Sequence, residues 1–133
     1  MAKVLSCTEV WGGVSAIDTD FVVPGIDGAL YSRPVGGDSG GDIYLVSSCN
    51  MGQVCKLVLA DVAGHGEQVA RVGRVLADLL RDNVAERDNG RFLDQLNQQF
   101  EAEDAHSVVF AMLACGTYFV RNWEFCFVYV GHL

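Results

Sequence analysis

The middle of the chain carries two apolar runs separated by a short polar segment. Residues 43–49 are apolar and β-branched, and residues 54–61 follow them after the turn-forming residues 50–53. This arrangement predicts an antiparallel hairpin. Because residues 57–60 are apolar on both faces, the second strand is expected to be central, between two layers.

Two later segments have the apolar spacing of helices. One begins near Glu67, and the other covers residues 92–101. Their apolar side chains recur at intervals of three and four, as one buried helix face requires. These side chains are Val69, Val72, Leu76, Leu79 and Leu80 in the first segment, and Phe92, Leu93, Leu96 and Phe100 in the second. Gly73 lies inside the first predicted helix, where glycine costs about 1 kcal/mol relative to alanine unless another backbone packs closely there.

The first 35 residues predict irregular β structure. Short strands are expected at residues 4–11 and 20–23. Glycine, proline and aspartate are the residues that most often form turns. They predict turns in this region at residues 12–13, 24–25 and 27–28.

The last part of the chain predicts two strands, at residues 107–120 and 123–130, joined at residues 121–122. A turn at residues 88–90 is expected to separate the two helices. Strands, then two helices, then strands define an α+β fold with helices on one face of a mostly antiparallel sheet. Since no repeat or linker interrupts residues 1–133, one domain is expected.

Charge and composition exclude several classes of function. The chain has 17 acidic and 9 basic residues, with lysine only at Lys3 and Lys56, and a formal net charge of −8. Nucleic acid is therefore not expected as the main partner, because phosphate contacts need clustered basic residues. The chain has no apolar run of about 18 residues, so no membrane span is expected. The N-terminus also lacks the apolar core of a secretion signal. A cytoplasmic location is expected.

The cysteines favour a structural role over a redox or metal-binding one. They are odd in number and form no Cys-x-x-Cys pair, and they stand at Cys7, Cys49, Cys55, Cys115 and Cys126. Zinc sites in proteins use closely spaced cysteine or histidine ligands. We expect these thiols to be reduced and to behave as small apolar residues.

Two aspartates carry the candidate chemistry. Asp42 comes at the start of the first hairpin strand and Asp61 at the end of the second, so the hairpin places them side by side. Taken alone, Asp42 is more simply explained as the cap of a tight turn, and Asp61 could cap a turn or a helix start. Together, two close carboxylates raise a pKa unless a cation lies between them. Oxygen ligands of this kind suit Mg²⁺ or Mn²⁺.

Two motifs at this spacing resemble a known family. Residues 40–44 (Gly-Gly-Asp-Ile-Tyr) and 59–66 (Leu-Ala-Asp-Val-Ala-Gly-His-Gly) resemble the PPM-type metal-dependent serine/threonine protein phosphatases, in particular the SpoIIE/RsbU-like subfamily. Together with several shorter similarities, this resemblance extends over nearly all of the chain. The shorter similarities lie at residues 9–13, 31–34, 96–97 and 130–132.

The resemblance implies an αββα sandwich with a two-metal centre between its sheets. It implies that Asp42, Asp61 and the backbone carbonyl of Val62 bind Mn²⁺ or Mg²⁺. In this family a metal-bound water attacks the phosphorus of phosphoserine or phosphothreonine, and the expected substrate is a phosphorylated regulatory signalling protein. His65 lies in the second motif, and we assign it no catalytic role because a loop histidine commonly satisfies nearby backbone groups.

The sequence departs from the family pattern at three places. Asp38, in an earlier Gly-Gly-Asp, competes with Asp42 for the role of first ligand, and Leu45 stands where the subfamily often has an acidic residue. Family members also continue further, to a late Asp-Gly motif that supplies more metal ligands. The chain is therefore expected to bind metal weakly, and two alternatives stay open: a catalytically silent binding module, or a fragment of a longer phosphatase. The apolar strand at 123–130 is expected to mediate self-association, since an apolar edge strand tends to pair with another chain.

Overall fold

The computed structural model describes residues 1–5, 9–49, 51–64, 67–103, 110–131 and 133. In chain order its elements are β1 (Lys3–Val4), β2 (Val10–Ser15), β3 (Ile17–Val23), β4 (Ile26–Ser32), β5 (Ser39–Cys49), β6 (Val54–Val62), α1 (Glu67–Asn83), α2 (Asn89–Glu103), β7 (Ala111–Phe119) and β8 (Glu124–Val130). The fold is mixed α+β with mostly antiparallel sheets, as predicted. Residues 6–8 and 107–109 of the predicted strands, and residue 50 of the predicted turn, lie outside the described residues.

A five-stranded antiparallel sheet forms the centre of the structure, in the order β2-β5-β6-β7-β8. The predicted hairpin is confirmed as β5 and β6, and β6 is the middle strand, as its two apolar faces indicate. The predicted final pair is confirmed as β7 and β8, which pair from Phe119 with Glu124 to Leu113 with Val130.

Both helices pack on one face of this sheet. The apolar stripe of α1 is buried there together with Phe92, Leu96 and Phe100 of α2. Helix α2 begins three residues earlier than predicted, because the Asp88 side chain accepts a hydrogen bond from the Arg91 backbone N–H at 2.9 Å and so caps the helix. The predicted turn at residues 88–90 is therefore wrong for Asn89 and Gly90, which are helical.

A three-stranded sheet covers part of the opposite face. Its order is β1-β3-β4, with β1 parallel to β3 and β3 antiparallel to β4. Phe21 and Val23 pack there against Val46 and Cys55 of the large sheet. The described residues therefore form three layers: helices, large sheet and small sheet.

Two of the three turns predicted in the first 35 residues are wrong. The turn at residues 24–25 is confirmed between β3 and β4, and Gly25 has a φ of 83°. Residues 12–13 and 27–28 instead lie inside strands β2 and β4. A Cβ on Gly12 would come within 2.1 Å of the Tyr44 carbonyl oxygen, and one on Gly28 within 2.3 Å of the Phe21 ring. These glycines allow close packing, which a sequence pattern does not distinguish from a turn.

Four cysteines are described, and none of them forms a disulfide: Cys49, Cys55, Cys115 and Cys126. Within the same part of the chain, neither helix has the length and apolar character needed to cross a bilayer.

Candidate metal centre

The strand register places the two predicted aspartates directly opposite each other. Asp42 of β5 pairs with Asp61 of β6 in the antiparallel ladder, as the hairpin predicts. One detail of the prediction is wrong: Asp42 does not start its strand, because β5 begins at Ser39 and Asp42 is its fourth residue. The strand extends because Ser15 of β2 pairs with Ser39 and so adds ladder contacts at that end.

The two carboxylates face the space between the sheets. Alternate residues of a strand share a face, and Asp42 shares its face with Tyr44 and Val46, whereas Asp61 shares its face with Leu57. Val46 and Leu57 pack in the cluster between the sheets. Both aspartates are exposed, so they stand at the open end of this space, where a solute can reach them.

The electrostatics of the pair favour a bound positive charge. Partial burial raises the pKa of Asp61, and the negative charge of Asp42 together with a hydrogen bond between the two carboxyl groups raises it further. Two carboxyl groups within hydrogen-bond distance of each other are stabilised by a shared proton or by a cation. Hard divalent ions such as Mg²⁺ and Mn²⁺ take oxygen ligands of this type, so these residues fit the metal that the family resemblance implies.

Two cavities meet at the acid pair, and Asp42 and Asp61 line both of them. One, of about 320 Å³, is lined mainly by apolar residues between the sheets, among them Leu30, Leu59 and Met112. The other, of about 500 Å³, is polar and is lined by the glycine-rich residues 35–41. A ligand at the acid pair would therefore touch apolar surface on one side and polar surface on the other.

Glycines let helix α1 approach the strands beside the acid pair. A Cβ on Gly41 would lie 2.7 Å from Val69 Cγ1 and 2.8 Å from the Val62 carbonyl oxygen, so no side chain fits there. Gly73 of α1 faces the Gly40 carbonyl oxygen, which a Cβ would approach to 3.0 Å. This is the close backbone contact that the sequence requires of a glycine inside a helix. The Val62 carbonyl thus lies against the residue that precedes Asp42.

The remaining candidate residues have different places. Asp38 lines the polar cavity, but it lies in the loop before β5 and pairs with no residue of β6. Leu45 is buried in the helix-side core. His65 lies outside the described residues. Among the residues that are described, no group of three or more histidine, cysteine or acidic side chains is placed to hold a metal ion, so the pair stands without a third side-chain ligand from that part of the chain.

Sequence reasoning missed two arginines at this site. Arg33, in the loop after β4, and Arg74, on α1, both line the polar cavity. Arg74 donates a hydrogen bond to Ser39 Oγ at 3.3 Å. The signal available in the sequence was the position of Arg74 on the polar side of a helix that begins directly after the second motif.

The comparisons with known proteins give no identification. The chain matches no protein-family model, no curated protein and no solved structure. Its class must therefore be inferred from the acid pair, the cavities and the motifs.

Proposed function

We propose that this chain is a metal-dependent phosphatase domain that hydrolyses phosphoserine or phosphothreonine on a regulatory signalling protein. The observation that carries the proposal is the pairing of Asp42 with Asp61 on the inter-sheet face, where two cavities meet. The spacing and neighbours of these two residues are those in which the chain resembles the PPM-type phosphatases. The three layers described above are compatible with part of an αββα sandwich.

The residues of the chain have distinct roles in this proposal. Asp42 and Asp61 hold Mn²⁺ or Mg²⁺, and the Val62 carbonyl is the further ligand. When bound, such ions supply an activated water and offset negative charge on a phosphoryl group. The hydrogen-bonded strand pair fixes the backbone positions of the two residues relative to each other, so both carboxylates start close together.

A catalytically silent binding module is the second candidate. It is favoured by the absence of a third metal-binding side chain near the pair within the described residues, since two carboxylates bind divalent ions weakly. Such a module would hold a phosphoprotein without hydrolysing it. A fragment of a longer phosphatase would behave in the same way until its further ligands were supplied.

The test combines metal binding with turnover. Mn²⁺ binding is measured by calorimetry, and hydrolysis of p-nitrophenyl phosphate is followed with Mn²⁺ and with EDTA. We expect Mn²⁺-dependent turnover in the native chain and loss of both Mn²⁺ binding and turnover in Asp61→Asn. Asp20→Asn is the matched control, because Asp20 is an exposed strand aspartate that lines neither cavity.

The outcomes separate the candidates. Binding of Mn²⁺ without turnover, together with retention of a phosphoprotein, would favour the binding module. No Mn²⁺ binding by the native chain, or equal binding by Asp61→Asn, would remove the metal centre and the enzyme with it.

A further inference from the structure

The polar cavity beside the acid pair has an unusual balance of charge. Four carboxylates line it: Asp38, Asp42, Asp61 and Glu67. Among its described lining residues, only Arg33 and Arg74 carry positive charge. In a chain with a net charge of −8, an anionic ligand would be repelled from most of this surface, and these two arginines form the favourable place for it to bind.

Both guanidinium groups are available to a ligand. Arg33 and Arg74 are exposed, and no carboxylate in the described part of the chain lies within ion-pair distance of either one. Among the described residues, Arg74 donates only to Ser39 Oγ, and a guanidinium has five N–H donors. Arginine binds carboxylates through paired hydrogen bonds, which also fixes their orientation.

The shared cavity indicates what the arginines contact. Ser39, the partner of Arg74, lies three residues before Asp42 in the same strand, and residues three apart in a strand face opposite sides of the sheet. Arg74 therefore contacts a residue that points away from the face of the acid pair, although both arginines and both aspartates line one cavity. A peptide whose phosphoryl group is held at the acid pair would present its neighbouring side chains to the arginines within this cavity.

We infer that Arg33 and Arg74 select phosphoprotein segments with acidic residues close to the phosphorylated residue. The inference rests on the proposed function, because the phosphoryl group at the acid pair sets the register of the peptide. It adds a specificity for acidic flanking sequence that Asp42 and Asp61 by themselves do not provide.

The test measures peptide binding, so that it does not depend on turnover. Fluorescein-labelled peptides carry a non-hydrolysable phosphonate analogue of phosphoserine, flanked by alanine and glycine only, or by two glutamates placed before or after it. Dissociation constants are measured by fluorescence polarisation in Mn²⁺. We expect one glutamate peptide to bind about three- to fivefold more tightly than the neutral peptide, as exposed ion pairs allow, and the preference to shrink in 1 M salt.

Arginine variants test whether Arg33 and Arg74 cause the preference for acidic peptides. Arg74→Ala, alone and with Arg33→Ala, should reduce the ratio between the acidic and neutral peptides toward one. Arg71→Ala is the control, because Arg71 is also exposed on α1 but lines a different cavity with Phe100 and Glu103. It should keep the full preference.

The results distinguish failure of this inference from failure of the proposed function. Mn²⁺-dependent turnover of p-nitrophenyl phosphate with equal binding of all peptides would overturn the inference and leave the phosphatase intact. A preference that Arg71→Ala reduces as much as Arg74→Ala would also overturn it, since the effect would then be general charge. Absence of turnover with an Arg74-dependent preference would keep the inference for a binding module. If no peptide binds, the inference is wrong.

Discussion

Ionisation of Asp61 works against folding when no cation is present. Its pKa in the folded protein is raised by burial and by Asp42, whereas in the unfolded chain an aspartate titrates near its ordinary value of about 3.9. Between these two pKa values the folded state keeps a proton that the unfolded state has lost. The free energy of unfolding therefore falls as the pH rises through this window and stays lowered above the folded pKa.

Asp61→Asn is accordingly expected to stabilise the metal-free protein at pH 7. The gain should be a few tenths to about 1 kcal/mol, the range for exposed charge pairs, which is seen as a rise of a few degrees in Tm. The gain should vanish below about pH 3, where Asp61 is mostly protonated in both states. Thermal melts in EDTA across this pH range measure it, with Asp20→Asn as the control. A lower Tm for Asp61→Asn at pH 7 would contradict the repulsion.

The burial of Lys56 is the opposite of what its residue type predicts. Its place on the face of β6 shared with Val58 follows from alternation, but lysine is almost never fully buried. Here it is 1% exposed, its Nζ donates to the Glu86 carbonyl, and the ammonium lies 4.0 Å from the centre of the Phe92 ring. Burial lowers the pKa of Lys56. The partners come from the segment between the helices and from α2, which the strand pattern does not contain.

At the scale of elements, the packing of α1 on β5 depends on glycines whose Cβ atoms would meet backbone. Gly41→Ala should lower the free energy of unfolding by about 1–3 kcal/mol, as overpacking does, because Val62 or Val69 must shift. It should also weaken Mn²⁺ binding, since the Val62 carbonyl lies against Gly41. Gly13→Ala is the matched control: Gly13 is also a strand glycine, with no atom within 4 Å of an added Cβ.

Denaturant melts and Mn²⁺ calorimetry on both glycine variants decide the matter. If stability and Mn²⁺ affinity fall in Gly41→Ala and not in Gly13→Ala, the result supports the close contact of Gly41 with Val62 and Val69. Equal stability of the two variants would mean that the strand end and helix adjust freely, and that the position of the Val62 carbonyl is not fixed by Gly41.

The strands and helices could be predicted from the sequence where a regular apolar pattern continues over enough residues for a whole element. The register of Asp42 with Asp61 follows because both lie at similar distances from the same turn. Prediction failed at Gly12 and Gly28, whose closest neighbours come from other strands and leave no mark on the local pattern. Arg74 was missed although its place on the polar side of α1 could be read from the sequence. Its partner Ser39 is 35 residues away, and an arginine on a helix surface is ordinarily solvated.

At the scale of the whole molecule, the two sheets differ in width, and this leaves apolar surface uncovered. The three-stranded sheet packs against only part of the large sheet. Beyond it, Leu59 is 57% exposed, Phe127 63% and Tyr129 61%. Strand β8 is an edge of the sheet, and Glu124 is its one charged residue. Charged residues on edge strands commonly prevent pairing with other chains. With one charged residue, β8 has little such protection.

The chain is therefore expected to self-associate through β8 and the aromatic side chains beside it. Sedimentation velocity should show the average mass rising with protein concentration. Phe127→Lys places a charge in the middle of this surface and should shift the chain toward monomer, because pairing would then bury an uncompensated ammonium group. Val35→Lys is the control, since Val35 is 90% exposed in the loop before β5. This variant should leave the association unchanged.

If the native chain sediments as a monomer at every concentration, the edge of β8 does not pair. If Val35→Lys shifts the distribution as far as Phe127→Lys does, net charge alone controls association and the aromatic surface has no special part in it.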